Sequence, residues 1–361
     1  MKSTFNQEKK TQLTIIIPIY NGAKHLAYAV DSVINQPFDN MEILLIDDGS
    51  TDSTPELCKE LQMKYSCIHV IRQENKGASA ARNAGIVSAT GQYIVFLDSD
   101  DFIVPDILQA GLLEELEYNE IDIMMFSSLG SNTSKNRFCI GQQYPNRFYA
   151  GRQVFPLSGT FASCLYRRDF LIEEGILFDE GVSLGEDQVF KMKSLYMAKK
   201  IQSSSCFLYV YCDNPHSVMH TMDRKMDRVI AWKCAYHWFS EHLTGQERIM
   251  LQAYTQHKIN SRVLLYAKNY VQAGHSQTEL EEELDKYNYL TLLENLSPQQ
   301  VMPYQIEELR LFQTDRKIFV RRAKREGWKI SLGRLILRIP VVRAVRDKKR
   351  YPLTEISKSV G

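Results

Sequence analysis

None of the seven cysteines stands in a Cys-x-x-Cys pair. They are odd in number and scattered (Cys58, Cys67, Cys139, Cys164, Cys206, Cys212 and Cys234), which argues against a disulfide framework or a zinc site and for a reducing compartment. Long apolar runs are lacking too. The first, Leu13 to Ile17, stops at Pro18, and no run approaches the ~18 residues of a membrane span or has the pattern of a signal peptide. Neither Gly-x-Gly-x-x-Gly after the first strand nor Gly-x-x-x-x-Gly-Lys-Ser/Thr occurs, which disfavours dinucleotide dehydrogenases, P-loop enzymes and nucleotidyltransferases with a glycine-rich loop. The net charge is only +1 over 361 residues, so no overall positive excess points to a nucleic acid.

What remains is a chain with 44% hydrophobic and 24% charged residues, the composition of a globular protein with room for a large core and one appended unit. Over the first ~130 residues strand and helix signals alternate. Strands are expected at Leu13–Pro18, Met41–Asp47, Cys67–Arg72, Tyr93–Leu97 and Ile121–Phe126. Helices are expected at Lys24–Asn35, Ser53–Tyr65, Ala78–Ala89 and Pro105–Tyr118, with Ser53 and Glu56 at capping-box spacing and Pro105 at a first helical position. Such alternation predicts an α/β fold with a mostly parallel, doubly wound sheet, in which ligands bind beyond the carboxyl ends of the strands.

Those ends carry polar and glycine residues: Tyr20-Asn21-Gly22, Asp47-Asp48-Gly49-Ser50-Thr51-Asp52, Asn75-Lys76-Gly77 and Asp98-Ser99-Asp100-Asp101. Any one of these is an ordinary turn, but four on one edge point to function. Asp-x-Asp after a buried strand suits a hard cation, Mn²⁺ or Mg²⁺, bridging to a phosphorylated ligand; a helix-capping turn is the plainer alternative. Arg82 is the large cation of an alanine-rich helix, placed to reach either a phosphate or an acidic strand end.

The segments Ile-Pro-Ile-Tyr-Asn (17–21), Ile-Asp-Asp-Gly-Ser-Thr-Asp (46–52), Asn-Lys-Gly-Ala-Ser-Ala-Ala-Arg-Asn-Ala-Gly (75–85) and Phe-Leu-Asp-Ser-Asp-Asp (96–101), in this order, resemble the inverting family 2 glycosyltransferases of GT-A fold over roughly residues 12–220. The resemblance implies a Rossmann-like GT-A domain over residues 1–220 that binds a nucleotide sugar, most simply a UDP-sugar. By the same resemblance Tyr20 flanks the uracil ring, Asp48 bonds the base, Asp98 lies near the ribose and sugar, and Asp100 holds the metal. Pro18, Asn21, Lys76, Arg82 and Ser99 complete the donor contacts.

Further on, Gly185-Glu186-Asp187 precedes an amphipathic helix over Gln188–Ala198. An acidic pair there is an N-terminal cap if taken alone. The resemblance makes Asp187 the general base that takes the acceptor hydroxyl proton and Glu186 its supporting acceptor contact. The stretch Tyr209–His220 resembles the family segment closing over the diphosphate, with Ser217 a diphosphate contact. His216 and His220 are spaced four apart, which makes His220 a candidate metal or phosphate ligand, two polar loop histidines being the plainer alternative. Cys212 stands where that segment often has arginine.

From about Asp223 strand signals stop. Residues 221–315 read as a helical C-terminal region, with Val229, Trp232, Tyr236 and Phe239 a buried stripe. Residues 316–361 read as a basic amphipathic tail, with fourteen Lys and Arg against Glu326 and Asp347 between 316 and 350. For this tail an anionic membrane surface ranks first, packing within the protein or against a second copy (a homo-oligomer) next, and nucleic acid last. The expectation is therefore a cytoplasmic, peripheral enzyme on the inner face of the cell membrane, acting on a glycan, a lipid-linked acceptor or a glycoprotein. A non-catalytic scaffold of the same fold, partnering another glycosyltransferase, is the alternative.

Overall fold

The computed structural model describes residues 11–132, 137–150, 160–182, 184–212 and 226–336. They divide into two compact units, with the break between Cys212 and Met226.

The first unit is built on strand β1 (Leu13–Ile19), in which every residue is buried. On one side β1 pairs in parallel with β2 (Met41–Asp47), which pairs in parallel with β3 (Ile68–Arg72); on the other it pairs in parallel with β4 (Tyr93–Phe96). The helices α1 (Leu26–Ile34), α2 (Thr54–Lys64) and α3 (Ala78–Ser88) connect these strands, as the alternating pattern predicts. Proline is tolerated in β1 because the ladder to β4 ends at Ile16–Phe96, two residues before Pro18, so no partner waits for its absent N–H. Helix α3 lies close on β1 because Gly85 has no side chain: a Cβ there would stand 2.4 Å from Ile16 Cγ2. The four residues of β4 are 0% exposed, and each large apolar side chain so buried contributes on the order of 1.5–3 kcal/mol.

The sheet is completed by β5 (Phe102–Ile103), β6 (Ile123–Asn132), β7 (Arg137–Gln142), β8 (Arg147–Ala150), β9 (Cys164–Arg167) and β10 (Lys200–Cys212). Its order is β3-β2-β1-β4-β9-β6-β10-β5, with β7 on β6 and β8 on β10. β9 runs antiparallel between β4 and β6, while β6 and β10 are parallel. Helices α4 (Ala110–Tyr118), α5 (Arg168–Glu173) and α6 (Glu186–Met197) pack around this half.

Two local expectations fail for identifiable reasons. The helix expected from Pro105 begins only at Ala110. The Gln36 side chain bonds Val104 O and Leu108 N, and Asp106 has φ 59°, so the intervening chain cannot coil. At α2 the Ser53–Glu56 capping box does not form; the Asp52 carboxylate accepts from Thr54 N instead. A full capping box occurs at Ser276 and Glu279.

The second unit is helical: α7 (Asp227–His242), α8 (Gly245–Gln272), α9 (Gln277–Asp285), α10 (Tyr289–Asn295), α11 (Ile306–Thr314) and α12 (Arg316–Ile336). Val229, Trp232 and Phe239 of the expected stripe are buried, and Tyr236 is half-buried. The expected boundary at 315/316 is not a structural one. Phe319, Val320 and Ala323 are buried within this unit as α12 packs on α8 and α11. Arg316 pairs with Glu281 and Glu294, and Arg322 with Glu307 and Glu326. Lys317, Ile318, Arg321, Lys324 and Arg325 form the exposed stripe of the same helix. The remainder of the tail, from 337, lies outside the described residues. Among the described residues no helix is long and apolar enough to cross a membrane.

Candidate active site

The carboxyl ends of β1, β2 and β4 converge with the loop before α3. Asn21, at φ 53°, organises the first two ends: its Oδ1 accepts from Thr51 N at 2.8 Å and Asp52 N at 3.3 Å, and its own N–H donates to Ser50 Oγ. The donor-contact role expected for Asn21 is thus set against a side chain already committed to the protein. Pro18 likewise is buried in the strand. Tyr20 is different: it is 53% exposed just beyond the tip of β1.

Asp48 is buried and holds the third strand end. Its Oδ1 accepts from Gln73 Nε2 (2.8 Å) and Lys76 N (2.9 Å), and its Oδ2 from Gly77 N (2.8 Å). A carboxylate has about four lone-pair positions, so one direction on Oδ2 is left for a ligand donor. The Lys76 side chain is exposed, and Ser99 lies against Gly22, where a Cβ would meet Ser99 Oγ at 3.1 Å.

The residue joining the site's two halves is Arg82. Its guanidinium is buried, with Nη2 2.8 Å from Asp98 Oδ1 and Nη1 3.3 Å from Glu186 Oε1. It lies over the rings of Phe161 (4.8 Å) and Phe178 (5.3 Å). Burial works against its charge, but Asp98 and Glu186 outweigh burial and hold it above its ordinary range. Sequence left a phosphate contact and an ion pair equally open; the structure gives it the ion pairs. Behind it, Phe96, Phe161, Tyr166, Phe178 and Phe190 form one aromatic cluster, in which Phe178 stacks on Phe190 at 3.9 Å. Phe96 closes β4 and Phe190 belongs to α6, so this cluster fixes the Asp98 turn against the helix carrying Glu186 and Asp187. The helix starts at Glu186, two residues earlier than the pattern predicts, after Gly185 at φ 97°. Both acids therefore sit in its first turn, where the helix dipole favours negative charge. Burial, then the neighbouring Asp187, raises the Glu186 carboxyl above its ordinary range, and Arg82 partly offsets this.

Asp101, which sequence gives no role beyond the turn, is a buried strut. Its Oδ2 accepts from Tyr209 OH at 2.6 Å and its Oδ1 from Cys212 N at 2.7 Å, while Tyr209 OH accepts from Asp98 N at 3.2 Å. Burial, with the charge of Asp98, pushes Asp101 up to about 8. The signal missed was Tyr209, a tyrosine on a strand interior whose hydroxyl had to find a buried partner. A second missed network lies one turn into α6. Lys191 is buried, with Nζ 2.9 Å from Tyr144 OH and 3.3 Å from Thr160 O, and Thr160 Oγ1 is 2.7 Å from Tyr211 OH. Burial holds the Lys191 ammonium below its ordinary range. Ser217 and His220 lie outside the described residues.

Among the described residues no three His, Cys, Asp or Glu side chains are grouped to hold a metal ion by themselves. At this turn Asp98 pairs with Arg82 and Asp101 with Tyr209, and Asp100 is half-buried beside them. One or two carboxylates fit Mg²⁺ or Mn²⁺ when a substrate's phosphates and water complete the shell.

The family model described as Glycosyl transferase family 2 matches residues 14–173, and the chain belongs to that family. Glycosyltransferase GlyG of Streptococcus pneumoniae is 35% identical over 226 residues, covering 58% of this chain and 73% of that protein. The minor teichoic acid biosynthesis protein GgaA of Bacillus subtilis is 35% identical over 217 residues, covering 55% of this chain and 46% of that protein. This chain thus spans under half the length of GgaA. In structure it is similar to residues 1–349 of Staphylococcus aureus TarS in complex with UDP-GlcNAc (TM-score 0.66, 20% identity, 89% of this chain and 92% of that one), a likeness of fold.

Proposed function

We propose that the chain transfers a sugar, with inversion, from a UDP-sugar to a hydroxyl group of a cell-surface glycan or polysaccharide acceptor, lipid-linked or protein-linked. The observation that carries this is the Arg82 bridge, which brings the donor-side carboxylate Asp98 and the acceptor-side Glu186 onto one guanidinium. The solved complex of TarS with UDP-GlcNAc and the teichoic acid role in the name of GgaA support the donor class and the acceptor class respectively.

In this mechanism Tyr20 flanks the base and Asp48 accepts from it, while Asp98 faces the ribose and sugar. Asp187 takes the acceptor O–H proton as the acceptor oxygen bonds to the sugar's anomeric carbon. The bond from that carbon to the diphosphate breaks on the opposite face, and UDP leaves with the electron pair. Mg²⁺ or Mn²⁺, when bound at Asp100, supplies Lewis-acid stabilisation to the leaving diphosphate. Glu186 supports the acceptor hydroxyl, and its pairing with Arg82 limits the repulsion it exerts on Asp187.

The exposed stripe Lys317, Arg321, Lys324 and Arg325 with Ile318 suits peripheral contact with an anionic membrane surface, consistent with a lipid-linked acceptor. The enzyme reading is tested by calorimetric titration of UDP with and without Mn²⁺. A metal-dependent heat is expected; its absence would leave the non-catalytic scaffold.

A further inference from the structure

The sheet unit has a second concavity, to one side of the acidic strand ends. It is an open cavity of about 860 Å³ walled by the turn before α4, by α4 itself, and by β6, β8 and β10. That size falls within the ~300–1,000 Å³ of small-molecule sites. β10 lies three places from β4 in the sheet order, about 14 Å at ~4.8 Å per strand, and no lining residue belongs to the candidate active site. β10 is deformed where it forms this wall. Its ladder to β8 ends at Ser203–Arg147. Ser204 is then level with Phe126 and Phe207 with Ser127, so Ser205 and Cys206 have no partner on β6. Asn146 Oδ1 fixes the bulge by accepting from Ser205 N at 2.7 Å. Bulges of this kind re-aim side chains and are over-represented beside functional sites.

Two features of the lining ask for a ligand. Phe148 presents an aromatic side chain that is 61% exposed, while Phe207 and Ile107 are anchored on the buried cluster of Val104, Leu129 and Val210. Gln202 is held by one 3.4 Å contact from its Nε2 to Glu115 Oε1, and its own Oε1 is buried with no donor among the described residues. An acceptor left in that state is costly, and a small rotation of the amide would bring it to a ligand hydroxyl. Charge then narrows the ligand. The lining sets Asp106 and Glu115 against Arg147 alone, so it offers a phosphate no positive excess. Half of the lining residues are polar or charged, which does not suit a lipid chain. Phenyl rings combined with amides and carboxylates fit a molecule with apolar C–H faces and many hydroxyls.

We propose that this cavity binds an uncharged saccharide, with Phe148 and Phe207 against the sugar faces and Gln202, Asp106 and Glu115 taking hydroxyl groups. The saccharide is a unit of the acceptor glycan, held beside the transferring end. That assignment to the acceptor rests on the glycosyl-transfer reading; the saccharide site itself does not.

The test is equilibrium dialysis of the full-length chain, with UDP and Mg²⁺ in excess, against neutral tetrasaccharides of glucose, galactose, N-acetylglucosamine and rhamnose. Wild type is expected to bind at least one of them. Phe148→Ala and Gln202→Ala should each weaken that binding roughly fivefold or more, the scale of one lost stacking or hydrogen-bonding contact, with Tm near wild type in Phe148→Ala because the ring is exposed. A second measurement needs no variant: the bound probe should slow backbone hydrogen exchange at 146–148 and 205–207 in wild type. No binding of any of the four, binding unchanged in both variants, or protection confined to the 98–101 turn overturns the site. Binding of poly(glycerol phosphate) in place of the neutral probes overturns the uncharged class. Because turnover is never measured, failure here leaves the catalytic reading standing, and an inactive chain that binds the probe keeps the site and loses only the acceptor assignment.

Discussion

Arg82→Met is the substitution that most exposes how the site is held. The side chains of Arg82, Glu186 and Asp98 are 7%, 13% and 26% exposed. Methionine keeps the apolar stem against Phe161 and Phe178 but leaves two carboxylates facing each other across the lost charge. Breaking a buried pair in this way costs about 3–5 kcal/mol; the partial solvation of Asp98 places the expected loss near ~3 kcal/mol. For a unit of this size that lowers Tm by roughly 6–12 °C. The deficit must also depend on pH. Without Arg82, burial and Asp187 act unopposed on Glu186, whose folded value rises further above its unfolded one. A raised carboxyl contributes stability at acid pH that is lost as pH rises through the folded value, so the deficit should be smallest near about pH 5 and grow towards about pH 8. Thermal melts and urea titrations of both proteins across that range measure it. Arg82→Met with Glu186→Gln should recover much of the loss, since the more buried carboxylate is gone. A deficit under ~1 kcal/mol, or one independent of pH, would refute the reasoning, because a solvated surface pair behaves that way.

Three further outcomes follow from the same geometry. Asp100→Asn should abolish the Mn²⁺ dependence of UDP binding, read by calorimetry; Mn²⁺-dependent heat equal to that of wild type would remove Asp100 from the metal site. Lys191→Met should remove a pH dependence from stability: the wild-type ammonium has a lowered folded value, so wild type gains stability between that value and its unfolded ~10.4, and alkaline melts of the variant should lack that rise. Reversing the outer stripe of α12 (Lys317→Glu, Arg321→Glu, Lys324→Glu, Arg325→Glu) should weaken co-sedimentation with anionic vesicles and leave the fold intact. Truncation at Thr314 cannot serve for this, since it deletes the buried Phe319 and Ala323.

The acidic strand edge was legible because its chemistry is local. Each apolar strand ends in a glycine-bearing polar turn, and four such turns in a parallel sheet must share an edge. Asp48, Asp98 and Asp100 could be placed that way. The joint between halves was not, because Arg82 and Glu186 are 104 residues apart and meet only through packing of Phe96 against Phe178 and Phe190. For the same reason Asp101 looked like a turn residue until Tyr209, 108 residues on, was seen to donate to it. The helix expected from Pro105 failed on a tertiary contact too, the Gln36 side chain bridging Val104 and Leu108. In the tail, composition averaged two faces of one helix. Arg316 and Arg322 belong to the fold, and Lys317, Arg321, Lys324 and Arg325 to the surface.

Release of UDP from a panel of UDP-sugars in the presence of Mn²⁺ and acceptor, compared between wild type and Asp187→Asn, tests the central assignment most directly. Asparagine is isosteric and cannot take a proton, so transfer should fall by about 10²–10⁴-fold while UDP affinity and Tm stay near wild type. Near-normal turnover in the purified, folded Asp187→Asn protein would contradict it.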